Sequence, residues 1–434
     1  MDVIFIMLVM LLALVVVLGA GVWIFVGLFI VSAVSLVVMA DFSVDRVGLI
    51  FRTIVWRSSS SWELAAIPLF IWMGEMIFRS DISDRLFKGL SPLVQWMPGR
   101  LLHTNILGCT IFAAVSGSTA ATTATVGKIT TTELAARKYN NSLAIGSLAG
   151  AGSLGLLIPP SIVMIIYGVL AEVSIAKLFA AGLLPGLLVA FVYSSYIIIR
   201  CAINPELAPS TNQKVSFSSL AGSVVNLTPV LVLITLVLGG IYTGVVTPSE
   251  AAGLGVLSAL VIVFLTKQLT FSLVFDSAMG AIKTSCMVCS ILMAAAVLST
   301  TIGYLHIPIQ LGDFIKELAL SPYGLLLILA FFYIVLGFFL DGISIVVMSL
   351  PITLPLIIQA GFDPIWFGVF IVLMVELAMM TPPVGFNLFV IQGMTGQSLG
   401  TVVKAAFPFF LLMCLVVVVI AMFPNIALVI PNMM

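Results

Sequence analysis

Oxygen-bearing side chains cluster at two places in an otherwise apolar chain, about 225 residues apart. The first cluster lies in the stretch SGSTAATT and is formed by Ser116, Ser118, Thr119, Thr122 and Thr123. The second begins at an acid and reaches a later proline pair; its members are Asp341, Gly342, Ser344, Ala378, Thr381 and Pro383. Hydroxyl, carboxylate and free carbonyl oxygens can replace the hydration shell of a hard monovalent cation. The two clusters therefore predict two candidate cation sites.

A Pro-Pro pair, Pro159-Pro160, lies beyond the first cluster, and another, Pro382-Pro383, ends the second. A proline inside a helix removes a hydrogen bond and leaves a carbonyl of the preceding turn without a donor. Gly155 precedes the first pair and lets the backbone leave helical geometry. Each break therefore supplies free carbonyls that a neighbouring cluster can complete into a cage. The breaks also expose helix N-termini, whose N–H groups favour an anion such as a carboxylate.

Close helix packing is the alternative role for these residues, because Ser, Thr and Gly also let membrane helices approach one another. The recurrence of the whole arrangement in both halves of the chain favours cation sites. Asn387 follows the second break, and its amide is a candidate to contact substrate or to orient the cage. The roles of Glu376, Lys128 and Lys283, which fall inside predicted membrane segments, stay open.

Composition places the chain in lipid. Of its 434 residues, 62% are hydrophobic and 8% are charged, with a mean hydropathy of +1.30, whereas ordinary soluble domains are about 25% charged. A net charge of zero gives no nucleic-acid footprint, and two histidines make a histidine-based metal site unexpected. No GxxxxGK[ST] phosphate loop occurs, so an ion gradient must supply the work. We expect a transporter and no enzyme, with no catalytic residues and no organic cofactor.

The order of apolar segments predicts an internal repeat. The predicted fold is an all-α integral membrane protein with two inverted repeats, each of five transmembrane helices and one re-entrant hairpin. The first repeat covers 1–200, with a hairpin at about 103–136 and a broken helix at about 142–171. A linker at 201–223 leads to the second repeat, 224–434, with a hairpin at about 324–358 and a broken helix at about 364–395. An odd number of spans per repeat inverts the second repeat, as in many secondary transporters.

The distribution of basic residues orients this topology. With the N-terminus outside, the loops on the inner face carry more lysine and arginine than the loops on the outer face, as the positive-inside rule requires. Segments 41–61 and 79–102 mix charges with tryptophans and apolar residues, which predicts helices that lie at the membrane interface. We therefore expect a multi-pass protein of the bacterial inner membrane with a periplasmic N-terminus.

Four ordered motifs are similar to the signatures of TRAP transporters, the tripartite ATP-independent periplasmic transporters of bacteria. The motifs are GAGSLGLLIPPSIVMIIYG at 150–168, GVVTPSEAAG at 244–253, FLDGISIVVMSLPITLPL at 339–356 and MTPPVGFNLFV at 380–390. The resemblance spans the whole chain and is to the large membrane subunit of these transporters. It implies an elevator-type, sodium-coupled importer of organic acids. It also implies two partners, a small four-helix membrane subunit and a soluble periplasmic binding protein.

The resemblance also assigns about two sodium ions to residues of this chain. The first sodium site falls on Ser116, Gly155, Ile158 and Pro160. The second falls on Asp341, Gly342, Ala378, Thr381 and Pro383. Residues expected in the vicinity of the substrate are Ser118, Thr119, Thr122, Ser344 and Asn387.

One departure from the family pattern bears on the substrate. Many members carry an acid in the first hairpin, where this chain has Thr122, and this difference argues against a C4-dicarboxylate. Sialic acid transporters of the family look similar here, so a sialic acid (N-acetylneuraminate) is the leading substrate hypothesis. The nearest alternative is a stand-alone sodium-coupled carrier of the dicarboxylate or citrate type. A channel or an intramembrane protease is a different class, and a protease with an aspartate pair would need a second deep aspartate beside Asp341.

Overall fold

The structure is a computed structural model that describes residues 3–209, 217–317, 321–382 and 385–434. Within these ranges the chain is helical and contains no strand. The helices of the first half are α1 (Val3–Gly19), α2 (Ile24–Val38), α3 (Val44–Ser59), α4 (Ala66–Arg79), α5 (Ile82–Val94), α6 (Leu102–Ser116), α7 (Thr119–Ala136), α8 (Asn141–Gly152), α9 (Ile162–Leu170) and α10 (Ile175–Ile203). Short 3-10 turns cover Trp62–Ala65, Pro205–Leu207 and Pro431–Met433.

The second half begins beyond the undescribed residues 210–216. Its helices are α11 (Phe217–Tyr242), α12 (Pro248–Leu265), α13 (Phe271–Tyr304), α14 (Ile307–Glu317), α15 (Pro322–Leu336), α16 (Gly342–Gln359), α17 (Pro364–Met379), α18 (Phe386–Thr395), α19 (Leu399–Met422) and α20 (Asn425–Leu428).

The segment predicted as the first hairpin folds as α6 and α7, joined by a tight turn. Helix α6 ends at Ser116 because Gly117 adopts a left-handed conformation with φ 58°, a common helix C-cap. Ser118 then caps α7, since its hydroxyl accepts a hydrogen bond from the amide of Ala121. We call Ser116–Thr119 the tip of the first hairpin. The segment predicted as the second hairpin is α15 and α16, and Asp341 caps α16.

The two Pro-Pro regions interrupt helices at the predicted places. Helix α8 ends at Gly152, and α9 begins at Ile162 after Ser161, whose hydroxyl caps it. We call residues 153–161 the first break. Helix α17 ends at Met379, and α18 begins at Phe386, so the second break lies at 380–385. Residues 383 and 384 lie outside the described part of the chain.

The hairpins and the broken helices pack together. Helix α7 contacts α6, α8 and α18, and α16 contacts α9 and α17. A second group forms around the long helix α13, which contacts α2, α3 and α4, while α4 also contacts α12. Contacts of α4 with α6 and of α13 with α16 join the two groups. The predicted site elements thus pack against one another and also contact the surrounding helices.

Six of the described helices are long and apolar enough to cross a membrane: α10, α11, α12, α13, α16 and α19. A seventh results if α3 and the segment Trp62–Arg79, which meet at a 55° bend, count as one span. Helices α2, α6, α15 and α17 are apolar but shorter. The hairpin arms α6 and α15 and the broken-helix segments α8, α9, α17 and α18 are each shorter than the length of about 20 residues that a simple span requires, whereas the hairpin arm α16 is among the six long helices.

The polar linker predicted at 201–223 is shorter in the structure. Helix α10 continues to Ile203, a 3-10 turn follows at Pro205–Leu207, and α11 has already begun at Phe217. A polar sequence marks where a helix can end, but apolar residues at 201–203 let α10 continue. Residues 210–216 lie outside the described ranges.

A substitution at Gly146 tests the packing of the site helices. An added Cβ would lie 2.2 Å from the carbonyl oxygen of Ala405, so α8 and α19 would have to separate. Gly146→Ala is expected to destabilise the protein by about 1–3 kcal/mol, the usual cost of overpacking. Gly253→Ala is the control, because a Cβ there meets nothing within 4 Å and alanine gains up to about 1 kcal/mol in a helix. Thermal unfolding in detergent measures both, and equal melting temperatures would contradict this packing.

Candidate cation and substrate site

The tip of the first hairpin is buried and is held by hydroxyl groups. The Oγ of Ser116 lies 2.7 Å from the Oγ1 of Thr122, one turn into α7. The amide of Ser118 lies 3.4 Å from the same Ser116 oxygen. Ser116 and Thr122 are 6% and 0% exposed, so this contact is shielded from solvent. The Ser116 oxygen therefore lies in a buried turn, and its role as a cation ligand stays a prediction.

The first break lies directly against this tip. A Cβ added to Gly155 would lie 2.5 Å from the Cα of Thr119, and one added to Gly117 would lie 2.8 Å from the carbonyl oxygen of Pro160. Such distances leave no room for a side chain at either glycine. The structure thus brings together Ser116, Gly155 and Pro160, which the sequence analysis placed in one cation site. Ile158 packs its side chain against Gly186, so only its backbone can serve the site.

Most carbonyl oxygens of the first break receive no hydrogen-bond donor among the described residues: those of Ser153, Gly155, Leu156, Leu157, Ile158, Pro159 and Pro160. In the described part of the chain, no amide or side chain donates to the carbonyls of Gly155, Ile158 or Pro160. All three residues are buried, and the great majority of buried backbone carbonyls in proteins are paired. Carbonyl oxygens without donors, beside the hydroxyl of Ser116, fit a hard monovalent cation. These residues would hold a sodium ion through neutral oxygens.

The second predicted site has a different character. Asp341 is exposed, and its Oδ2 accepts a hydrogen bond from the amide of Ile343 at 3.2 Å, while its Oδ1 accepts one from the hydroxyl of Ser344. Thr381 donates its hydroxyl to the carbonyl of Leu377 at 2.6 Å. The oxygens of this set already have local partners, so it is not a copy of the first set.

Close packing nevertheless joins the second hairpin to α17. A Cβ added to Gly337 would lie 2.8 Å from the Cα of Ala378, and one added to Gly342 would lie 2.7 Å from Val375. The carbonyl of Ala378 accepts the amide of Thr381 at 3.1 Å. The remaining predicted ligand, Pro383, lies outside the described residues.

The side chains predicted near the substrate are largely engaged by protein partners. Thr122 bonds with Ser116, Ser344 donates to Asp341, and the hydroxyl of Ser118 caps α7. Thr119 donates to Glu376, and Asn387 uses both ends of its amide within the protein. Together these side chains form a hydrogen-bonded surface around the tip of the first hairpin.

Two features were not found from the sequence. Glu376, whose role the sequence left open, is completely buried and contacts the first hairpin and the first break. Its only signal was a single acid in the otherwise apolar segment of α17. The second feature is a cavity of about 850 Å³ between α3, the α9–α10 connection and the start of α12, lined by residues that include Arg57, Glu172 and Ser249. No spacing rule predicts it, because four segments distant in sequence form its wall, the fourth from α13.

A family model for the "Tripartite ATP-independent periplasmic transporter, DctM component" matches residues 5–426. The chain belongs to the DctM family of TRAP transporters. The resemblance that the four motifs carried is therefore confirmed at the level of the family. The all-helical fold that the sequence predicted is also observed, since the described residues form helices and no strand. The family is one of transporter permeases, not of enzymes.

Curated members of the DctM family are similar over most of this chain. The C4-dicarboxylate TRAP transporter large permease protein DctM of Pseudomonas aeruginosa is 33% identical over 87% of this chain and 88% of its own length. The sialic acid TRAP transporter permease protein SiaT of Haemophilus influenzae is 30% identical over 87% of this chain and 61% of its own length. Among solved structures, MtrF of Neisseria gonorrhoeae, described with a class of antimetabolite efflux pumps, matches with TM-score 0.47 and 13% identity over 85% of this chain and 79% of that one. The last likeness is too weak to support a statement about function.

Substitutions at the two sites test their assignment. Ser116→Ala is expected to raise the sodium concentration for half-maximal uptake about tenfold or more, because a contact to a charged group is worth roughly 1.5–3 kcal/mol. Asp341→Ala is expected to do the same. Ser195→Ala is the control, since the Ser195 hydroxyl donates only to the carbonyl of Phe191 in its own helix, at 2.8 Å. Sodium titrations of substrate uptake measure the effect, and unchanged sodium dependence in both site variants would contradict the assignment.

Proposed function

We propose that this chain is the large membrane subunit of a sodium-driven importer of organic acids that works by an elevator mechanism. The observation that carries the proposal is the packing of the hairpin tip, which contains Ser116, against the buried, donor-free carbonyls of the first break, among them those of Gly155, Ile158 and Pro160. A cation there would satisfy these oxygens and fasten the tip of the first hairpin to the first break. Binding of sodium would therefore order the surface on which the substrate carboxylate rests, and substrate affinity would rise with sodium.

A carboxylate fits the same region because helix N-termini meet there. Helix α7 starts at Thr119 and packs against α18, which starts at Phe386 after the second break. The N-terminal amides and dipoles of such half-helices favour an anion. The second candidate site, with Asp341, carries one formal negative charge and would take the second sodium ion. A co-transported cation next to an anionic substrate offsets the charge that must cross the low-dielectric region.

The way the helices group supports the proposal of an elevator movement. Hairpins and broken helices form one packed group, and α2, α3, α4, α12 and α13 form the surrounding one. We propose that the first group moves as a body and that the second is the scaffold. The cavity between α3 and the α9–α10 connection would then open or close as the groups shift. The exposed ion pair of Arg57 with Glu172, at 3.9 Å, spans this cavity wall and is expected to contribute little to stability.

The proposed partners are a small membrane subunit and a periplasmic binding protein. The family name itself describes a tripartite transporter of which this family is one component. An isethionate TRAP permease of Oleidesulfovibrio alaskensis carries the name DctMQ, and this chain covers 63% of its length, as expected if that protein contains a further subunit. We place the complex in the bacterial inner membrane with the N-terminus of this chain on the periplasmic side.

Sialic acid is the proposed substrate, with a C4-dicarboxylate as the competing one. Relatives named for each are nearly equally similar to this chain, so overall identity does not choose between them. Thr122 favours sialic acid, because it adds no negative charge to the first hairpin where many family members carry an acid. A neutral threonine, already bonded to Ser116, suits a bulky monocarboxylate with many hydroxyl groups.

Reconstitution tests the proposal directly. The chain is placed in liposomes with its small subunit and binding protein, and uptake of radiolabelled N-acetylneuraminate and succinate is measured with and without an inward sodium gradient. Uptake of N-acetylneuraminate is expected only when sodium, the small subunit and the binding protein are all present. Uptake of succinate and not of N-acetylneuraminate would overturn the proposed substrate. Uptake driven by a proton gradient alone would overturn sodium as the coupling ion. Transport by the chain without partners would favour the stand-alone carrier.

A further inference from the structure

Glu376 connects three elements that the sequence places far apart. It lies in the last turn of α17 and has no solvent exposure. Its Oε1 accepts a hydrogen bond from the hydroxyl of Thr119 at 2.6 Å and another from the backbone amide of Leu156 at 2.9 Å. Thr119 belongs to the tip of the first hairpin, and Leu156 belongs to the first break. One carboxylate oxygen from the second half of the chain thus holds both elements of the first candidate site.

Asn387 makes the same kind of connection on the other side of the second break. Its Oδ1 accepts a hydrogen bond from the hydroxyl of Thr123 at 2.6 Å, and its Nδ2 donates to the carbonyl of Ala149 at 3.0 Å. Thr123 lies in α7 and Ala149 in α8, so this residue again joins the first hairpin to the first broken helix. Asn387 is also completely buried.

The two connections are aligned along one face of α7. Thr119 and Thr123 are four residues apart, which places their hydroxyls one above the other on a helix. Glycines keep the surrounding backbone close: a Cβ added to Gly152 would lie 2.0 Å from the Oγ1 of Thr123 and 2.9 Å from the Nδ2 of Asn387. The contacts are therefore part of tight packing and do not depend on flexible surface side chains.

We propose that Glu376 and Asn387 act as a two-point clamp, positioning residues that hold the tip of the first hairpin against the first break. In this arrangement the second half of the chain sets the geometry of the carbonyl cage in the first half. The clamp holds the tip near the break before sodium binds, and the bound sodium ion would complete the contact. The inference rests on the proposed function where it concerns sodium, but the clamp itself is a property of the protein alone.

The clamp uses Glu376 as a hydrogen-bond acceptor. Its Oε1 receives both donors, whereas its Oε2 has no partner among the described residues. No lysine or arginine in the described part of the chain forms an ion pair with this carboxylate. A glutamine presents the same acceptor oxygen in the same place, so Glu376→Gln is expected to preserve the clamp. Glu376→Leu removes the acceptor of the hydrogen bond with Thr119, and Thr119→Val removes its donor.

The first measurement is a sodium titration of uptake by the full reconstituted transporter. Thr119→Val and Glu376→Leu are each expected to raise the half-saturating sodium concentration about tenfold. The double variant is expected to be no worse than the more affected single variant, because both changes remove the same contact. Thr130→Val is the control, since the buried hydroxyl of Thr130 in the same helix donates only to the carbonyl of Val126. Glu376→Gln is expected to resemble the unmodified protein.

The second measurement does not require transport. Hydrogen exchange followed by mass spectrometry reports the protection of peptides that cover the hairpin tip and the first break. Thr119→Val and Glu376→Leu are expected to speed exchange in both of these peptides. Thr123→Val and Asn387→Leu are expected to speed exchange in peptides from α7 and α8. If Glu376→Leu does not fold, Thr119→Val tests the same contact from the hairpin side.

The outcomes separate the clamp from the proposed function. If the unmodified transporter shows no sodium dependence, the proposed coupling fails, and hydrogen exchange alone decides on the clamp. Unchanged exchange in Thr119→Val and Glu376→Leu would overturn the clamp. A second result would also overturn the clamp: Glu376→Gln is as impaired as Glu376→Leu, while Thr119→Val behaves like the unmodified protein. The carboxylate would then act through its charge and not through these hydrogen bonds.

Discussion

The close approach of the first hairpin tip to the first break is the contact on which the rest of the structure depends. Gly117 and Gly155 make this contact possible, because neither position has room for a Cβ. The two elements that meet here carry the hydroxyl of Ser116 and the buried carbonyls of the break. Helices α17 and α18 supply the polar side chains of Glu376 and Asn387, which bond to the break, to α7 and to α8.

Hydrogen bonding in a dry interior explains which side chains sit where. A buried polar group without a partner is costly, and most hydroxyls near the tip bond either to their own helix or to a residue across the interface. Thr119 and Thr123 bond across the interface, whereas Thr130 bonds to its own helix. The donor-free carbonyls of the first break stand out against this pattern. At the second break the hydroxyl of Thr381 turns to a helix carbonyl, and Asp341 caps α16.

This contrast makes the two candidate sites unequal despite their similar sequences. The first is built from neutral oxygens inside a buried turn, and the second includes an exposed carboxylate with partners of its own. A site of neutral oxygens in a region of low dielectric binds a cation only when its geometry is already correct, because no ligand charge draws the cation in. Preorganisation by the surrounding helices is accordingly more important for the first site than for the second.

The sequence by itself determined that the chain lies in lipid, where its hairpins turn and where its helices break. These features follow from local chemistry: long apolar segments require lipid, glycine permits a left-handed turn at 117, and paired prolines interrupt a helix. The tertiary structure alone decided which residues meet. Nothing in α17 indicates that Glu376 will accept a hydrogen bond from Thr119, because 257 positions separate them along the chain. Nor could the sequence show that Asn387 is occupied by protein partners. Such pairings depend on how helices from both halves pack, and packing is set by the fit of many side chains at once.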